Sequence, residues 1–197
     1  MSSAPDKAQQ IINHIRSYVD FSDQAAADLI PLLSPQRLRK RQYLLQEGHI
    51  CRQESFVING CLQAYKTDDK GKIHILQFAV AGWWIGDLDS FLNTTPSQLN
   101  IEALENTEVL NITREQLDWA YQQCPGLERY FRLMIQKAWI ATQQRTLSAM
   151  SQPAQQRYEE FIARYPSLLQ HIPDRHIAAY LGITPQSLSR IRNQRKH

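Results

Sequence analysis

The chain has 197 residues, of which 43% are hydrophobic and 21% charged, with a formal net charge of +3. That length buries a real core in one or two domains, and the composition is that of an ordinary globular protein. No long apolar run excludes itself from the interior, so no membrane-spanning helix is expected, and "MSSAPDKAQQ" lacks the basic-then-apolar pattern of an export signal. A cytoplasmic protein without a membrane partner is the expectation.

Helical character is clearest early on in "FSDQAAADLIPLL", where Ser22 can cap and Ala26, Leu29, Ile30 and Leu33 recur at helical spacing. The texture then changes to short apolar stretches punctuated by turns. Gly48, Gly60, Gly71 and Gly82 fall at intervals of 11 or 12 residues between candidate strands, which reads as an antiparallel sandwich or barrel. "KTDDKGKIH" has the form of a hairpin, with aspartates and a glycine in its turn. Cys51, Cys61 and Cys124 are scattered without a CxxC pair, so free thiols are expected and no metal site. Trp83 and Trp84 are adjacent on a strand, which sends one side chain inward and the other outward.

A helical period returns at "TREQLDWAY", which opens with a capping box of Thr113 and Gln116. Pro125 suits the first turn of the next helix, which runs to about Met150 and would be roughly 36–40 Å long. One side gathers Leu127, Phe131, Met134, Ile135, Ala138, Trp139 and Ala141, wide enough to face both a β-domain and a partner helix. Phe131, Met134, Ala138 and Ala141 are the expected homodimer contact. The alternative is that the helix packs on its own domain. A shorter amphipathic helix, "QRYEEFIARYP", follows.

"DRHIAAYLGITPQSLSRIR" has the features of a helix-turn-helix. A first helix over about Asp174–Leu181 ends at Gly182, suited to the left-handed turn, and Ile183 plugs the angle. Thr184 is an N-cap and Pro185 a first helical residue. The second helix buries Leu188 and Ile191 and turns Gln186, Ser187, Ser189 and Arg190 outward. Arg190, Arg192, Arg195 and Lys196 follow one another with no acidic residue between, as a double-stranded DNA contact requires. Without a nucleic-acid role, the same pattern is a plain helical hairpin.

Taken together, these pieces resemble the Crp–Fnr (catabolite activator-like) regulators over nearly the whole chain. The resemblance implies an α+β fold: an N-terminal antiparallel β-roll (jelly roll) with flanking helices, a long central dimerisation helix and a small C-terminal helix-turn-helix. The corresponding boundaries are 1–124 for a cyclic-nucleotide-binding-like roll, 125–150 for the helix and 151–197 for the DNA-binding domain. It implies a DNA-binding transcription regulator, not an enzyme, with RNA polymerase as a further candidate contact.

In the cyclic-AMP-binding members a Gly-Glu-Leu opens the phosphate cassette and an Arg-Ser pair grips the phosphate. Here the opening is Gly86-Asp87-Leu88, and an ungapped alignment puts Ser97 and Gln98 at the clamp. The base-facing pair of the central helix corresponds to Thr142 and Gln143. A charge-assisted Arg–phosphate contact is worth about 1.5–3 kcal/mol, so its absence predicts no useful cyclic-AMP affinity. No cofactor is expected, and the cassette is either a structural remnant or a site for another effector. Lys70 or Lys72 could swing in to replace the clamp.

Two further departures concern the DNA-binding end. The resemblance implies a β-hairpin wing after the recognition helix, and with residues ending at His197 a full wing is not expected. Pro185 also stands where the family's recognition helix carries an arginine, so a different target sequence is expected. Other readings are weaker. An Fnr-type redox sensor needs an N-terminal cysteine cluster, a haem sensor would rest on His74 with Cys51 or Cys61, and a cupin enzyme needs an HxH pair that the six histidines do not form. The remaining alternative is a dimeric interaction protein whose C-terminal helices dock on a protein partner.

Overall fold

The computed structural model describes residues 4–194. Ala8, Ile11, Ile12 and Ile15 recur at three- and four-residue spacing, and their side chains bury one face of a helix that the sequence reading passed over, α1 (Ala4–Arg16). Lys7 pairs with Glu108 at 2.7 Å and ties that helix to the sheet. The Ser22 side chain accepts from the Ala25 amide to start α2 (Asp23–Leu29), as expected of an N-cap.

Strands then follow in quick succession: β1 (Ser34–Leu38), β2 (Tyr43–Leu45), β3 (Gln53–Asn59), β4 (Cys61–Thr67), β5 (Ile73–Val80) and β6 (Trp84–Ile85). A short helix, α3 (Leu88–Asn93), precedes β7 (Asn100–Ala103) and β8 (Thr107–Thr113). They form two four-stranded antiparallel sheets, ordered β1-β8-β3-β6 and β2-β7-β4-β5. The four glycines at regular spacing all sit in turns at positive φ, between 76° and 94°. The predicted hairpin joins β4 to β5, and its turn is held by Asp68, whose carboxylate accepts from the Lys70 and Lys72 amides at 3.0 and 2.9 Å. Phe56, Leu62, Ile101 and Ile112 are fully buried in the roll's core, each worth about 1.5–3 kcal/mol by apolar burial.

Thr113 and Gln116 make both bonds of the capping box at the start of α4 (Arg114–Gln123). The long helix, α5 (Leu127–Ser151), starts two residues after Pro125, with Gly126 rather than a proline turn at its N-cap. There a Cβ would lie 2.9 Å from the Asp20 carbonyl oxygen, so the tight approach replaces the predicted proline start. Beyond it lie α6 (Ala154–Arg164), α7 (Asp174–Leu181) and α8 (Pro185–Gln194). Among the described residues, no helix is long and apolar enough to cross a membrane.

The C-terminal helices do not stand apart. A second core joins Tyr158, Phe161, Ile177, Leu188 and Ile191 to Tyr65, Ile75, Phe78 and Val80 of the sheet's outer face. This explains why β4 is buried at five consecutive positions, Cys61 to Tyr65, rather than at alternate ones: both of its faces are covered.

Candidate nucleic-acid interface and effector cradle

The helix-turn-helix forms as its residues dictate. Gly182 caps α7 at φ 67°, a left-handed turn that costs glycine nothing. Thr184 Oγ1 accepts from the Ser187 amide at 3.1 Å and lies 3.0 Å from Ser187 Oγ, so both side chains act as a cap for α8. Leu188 and Ile191 are buried beneath the helix, and Ala178 is fully buried where the two helices cross. Gln186, Ser189 and Arg190 remain exposed and line one shallow depression with Asn193 and Gln194. Asn193 and Gln194 were missed from sequence, although they follow Gln186 and Arg190 by whole helical turns.

Arg192, expected on DNA, has a different role. Its Nε donates to the Tyr158 hydroxyl at 2.8 Å and its Nη1 pairs with Asp174 at 2.5 Å, bracing α8 against α6 and α7. With charge and reach spent inside the domain, it is a positioning side chain. Arg195 and Lys196 lie outside the described residues.

The cassette residues divide. Asp87 N-caps α3, and Ser97 Oγ donates to its other carboxylate oxygen at 2.6 Å. Gly86 is needed for space: a Cβ there would stand 2.4 Å from Glu54 Oε1. Glu54 was missed from sequence; its signal is a carboxylate inside an apolar strand. Its Oε1 is buried with no hydrogen-bond partner, and burial first, then the Asp87 charge, pushes its pKa up to about 7. Nearby, burial also raises the Cys51 thiol.

The cradle is therefore built around two facing carboxylic groups. The Asp87 charge and, above its raised pKa, that of Glu54 oppose an incoming phosphate, while Arg52 lines the adjoining hollow and Lys66 reaches the clamp position at Gln98. The adjoining hollow, lined by Ile50, Cys51, Arg52, Gln53 and Gly86, measures about 250 Å³, below the usual range for ligand pockets. Leu88 is exposed on α3, and Gln98 accepts from Lys66 Nζ at 2.7 Å. Lys70 and Lys72, the expected substitutes, give their amides to the hairpin turn. Thr142 lines a different cavity, and Gln143 is exposed, so the seven expected effector residues form no single site.

On α5, Phe131 and Met134 of the expected dimer contacts are turned inward, whereas Ala138 is exposed. Phe131 and Met134 pack on the chain's own roll, Phe131 at 4.9 Å from the Trp84 ring, and Ala138 and Ala141 line a cleft beside it. The apolar side chains left bare are Ile135, Trp139, Ile140, Leu147 and Met150, with Trp139 62% and Met150 81% exposed. Hydrophobicity alone did not separate these faces, because α5 carries apolar residues around most of its circumference.

A sensor-type roll joined through a long helix to a helix-turn-helix defines the class of one-chain transcription regulators. The cyclic nucleotide-binding domain family matches residues 35–124. The transcriptional activator protein anr of Pseudomonas aeruginosa is 26% identical over 165 residues, covering 78% of this chain and 67% of its own. FixK2 from Bradyrhizobium japonicum superimposes with a TM-score of 0.73 at 20% identity, covering 82% of this chain and 83% of its own. A CooA mutant from Carboxydothermus hydrogenoformans gives 0.70 at 18%, covering 84% and 77%. The chain therefore carries a cyclic nucleotide-binding domain over residues 35–124 and is similar over most of its length to transcription regulators of the Crp–Fnr type.

Proposed function

We propose that this chain regulates transcription as a homodimer that reads DNA through the exposed face of α8 and does so without cyclic AMP. The observation that carries the reading is the α8 surface itself: Gln186, Ser189 and Arg190 are presented together while Leu188 and Ile191 fix the helix from below. Glutamine and arginine are the side chains that make paired contacts with adenine and guanine edges in the major groove. The bare apolar stripe of α5 supports pairing with a second copy, because so large an exposed patch is uncommon on a monomer. Two-fold pairing calls for a near-palindromic site with half-sites about 34–36 Å apart.

Ser97 and Gln98 at the clamp positions, with no arginine between them, and the small hollow beside Gly86 support independence from cyclic AMP. RNA polymerase is the further partner in this reading. Selection of genomic fragments by the purified protein, with Arg190→Ala as the comparison, tests the reading. The expected result is a palindromic motif for the native chain and a loss of about 1–3 kcal/mol of discrimination at one base pair in the variant. Unchanged target choice by the variant would remove Arg190 from the interface. Binding that does not weaken as salt rises would remove DNA altogether, because phosphate contacts release counterions.

A further inference from the structure

A second hollow, of about 490 Å³, lies where α1, the β5–β6 edge, α5 and the C-terminal helices meet. Its volume falls within the range of small-molecule sites. The walls are aromatic: Tyr18, Trp83, Trp84, Tyr165 and Tyr180 all line it, and Trp83 meets Tyr165 with ring centroids 5.5 Å apart. Two cations line it as well, and no carboxylate does. Lys137 Nζ stands 4.1 Å from the centre of the Tyr18 ring and makes no ion pair among the described residues. Arg145 lies 4.7 Å from the Tyr180 ring and donates to the Leu76 carbonyl at 2.6 Å, again without a counter-charge.

Some of the wall's other polar groups are already engaged. The Gln77 amide donates to the Trp84 carbonyl at 2.8 Å. Trp84 Nε1 donates to the Tyr130 hydroxyl at 2.8 Å, and that hydroxyl gives its proton to His14 Nδ1 at 2.7 Å. This direction suits a neutral His14, whose pKa is lowered by burial first and by Lys137 second. A flat ring system would find aromatic faces to stack on here.

We propose that this cleft is a binding site for a flat aromatic carboxylate, its rings against the tryptophan and tyrosine walls and its charge at Lys137 or Arg145. Such a ligand would touch the roll through Trp83 and Trp84, the long helix through Lys137, and the C-terminal domain through Tyr165 and Tyr180. Its occupancy would therefore bias how the helix-turn-helix sits on the roll. That last consequence rests on the regulator reading; binding itself does not.

The test is calorimetry of the full chain with 2-naphthoate and with its uncharged isostere, 2-naphthamide. The expected result is a naphthoate Kd below about 1 mM, with the amide and the Lys137→Ala variant each weaker by about tenfold. Quenching of tryptophan fluorescence should accompany binding. Ala138→Trp, at an exposed helical position lining the cleft, should abolish binding with an unchanged melting temperature. Absence of binding, equal affinity for acid and amide, or unaltered binding by Ala138→Trp overturns the site. Naphthoate binding that leaves DNA affinity unchanged supports the site and overturns only its coupling to the regulator.

Discussion

Two hollows of this molecule differ in size and in lining. Inside the roll, Gly86 clears room for the Glu54 carboxylate, near the Asp87 charge, and the hollow beside Gly86 is small, with Arg52 on its wall. At the junction with the C-terminal helices the cleft is larger, aromatic and lined by Lys137 and Arg145. The contrast teaches that one frame can hold a small hollow at the cassette and a roomier aromatic one at the seam with the C-terminal helices.

The largest expected effect comes from removing the acid of the first hollow. Glu54 is raised to about 7 in the fold against 4.5 unfolded, so between those values the folded state holds a proton that the unfolded state has lost. Its contribution to stability is therefore lost as pH rises from about 4.5 to 7, by roughly 3 kcal/mol in all. Glu54→Gln should be more stable than the native chain at pH 8, by up to that amount, and equal to it near pH 4, as urea titration would show. A variant that loses stability at pH 8 would mean that the ionised acid has an unrecognised partner.

Gly86→Ala sharpens the same point sterically. Its Cβ would press on the buried carboxylate, and overpacking of this kind costs about 1–3 kcal/mol. The loss should shrink when Glu54→Gln is added only if charge, rather than volume, is what cannot move; denaturation of the double variant distinguishes the two. Restoring the family's clamp with Ser97→Arg and Gln98→Ser should raise cyclic-AMP affinity by less than about tenfold, because Asp87 and Glu54 stand ready to pair with the new guanidinium. Calorimetry giving the full gain of about 1.5–3 kcal/mol would show that the cradle's acids do not matter.

The smallest effect concerns the seam between the regions. His176 of α7 is buried and meets Gln63 of β4 at 2.5 Å, while Gln63 donates to Glu102 at 3.2 Å. Burial first, and Arg175 second, lower the pKa of His176 below 6.5. Below 6.5 the unfolded chain takes up a proton that the docked histidine refuses, so this contribution to stability is lost as pH falls, opposite in sign to that of Glu54. In a Glu54→Gln background, protection of the α7 amides from hydrogen exchange should weaken between pH 6.5 and 5. Protection that is flat over that range would dissociate His176 from docking.

Much of this architecture was legible in the sequence because it depends on local rules. Turn glycines, the Thr113 capping box, the Gly182 turn and the Thr184 cap each follow from backbone sterics or a short-range hydrogen bond. What escaped depends on distant partners. The spacing of Ala8, Ile11, Ile12 and Ile15 was available, yet the side of α5 that faces its own roll was fixed only by Trp84 and Phe56, far away in sequence. Glu54 and Asp87 are 33 positions apart and meet only through the strand pairing that brings β3 beside β6. Arg192 looked like the basic residues around it until Asp174 and Tyr158 came within reach.

The most direct test of the central claim is selection of genomic fragments by the purified chain in paired samples, one with cyclic AMP and one without. The account predicts the same palindromic motif, recovered to the same extent, in both. Recovery only in the sample with cyclic AMP would contradict it, since the nucleotide would then have bound without the clamp arginine.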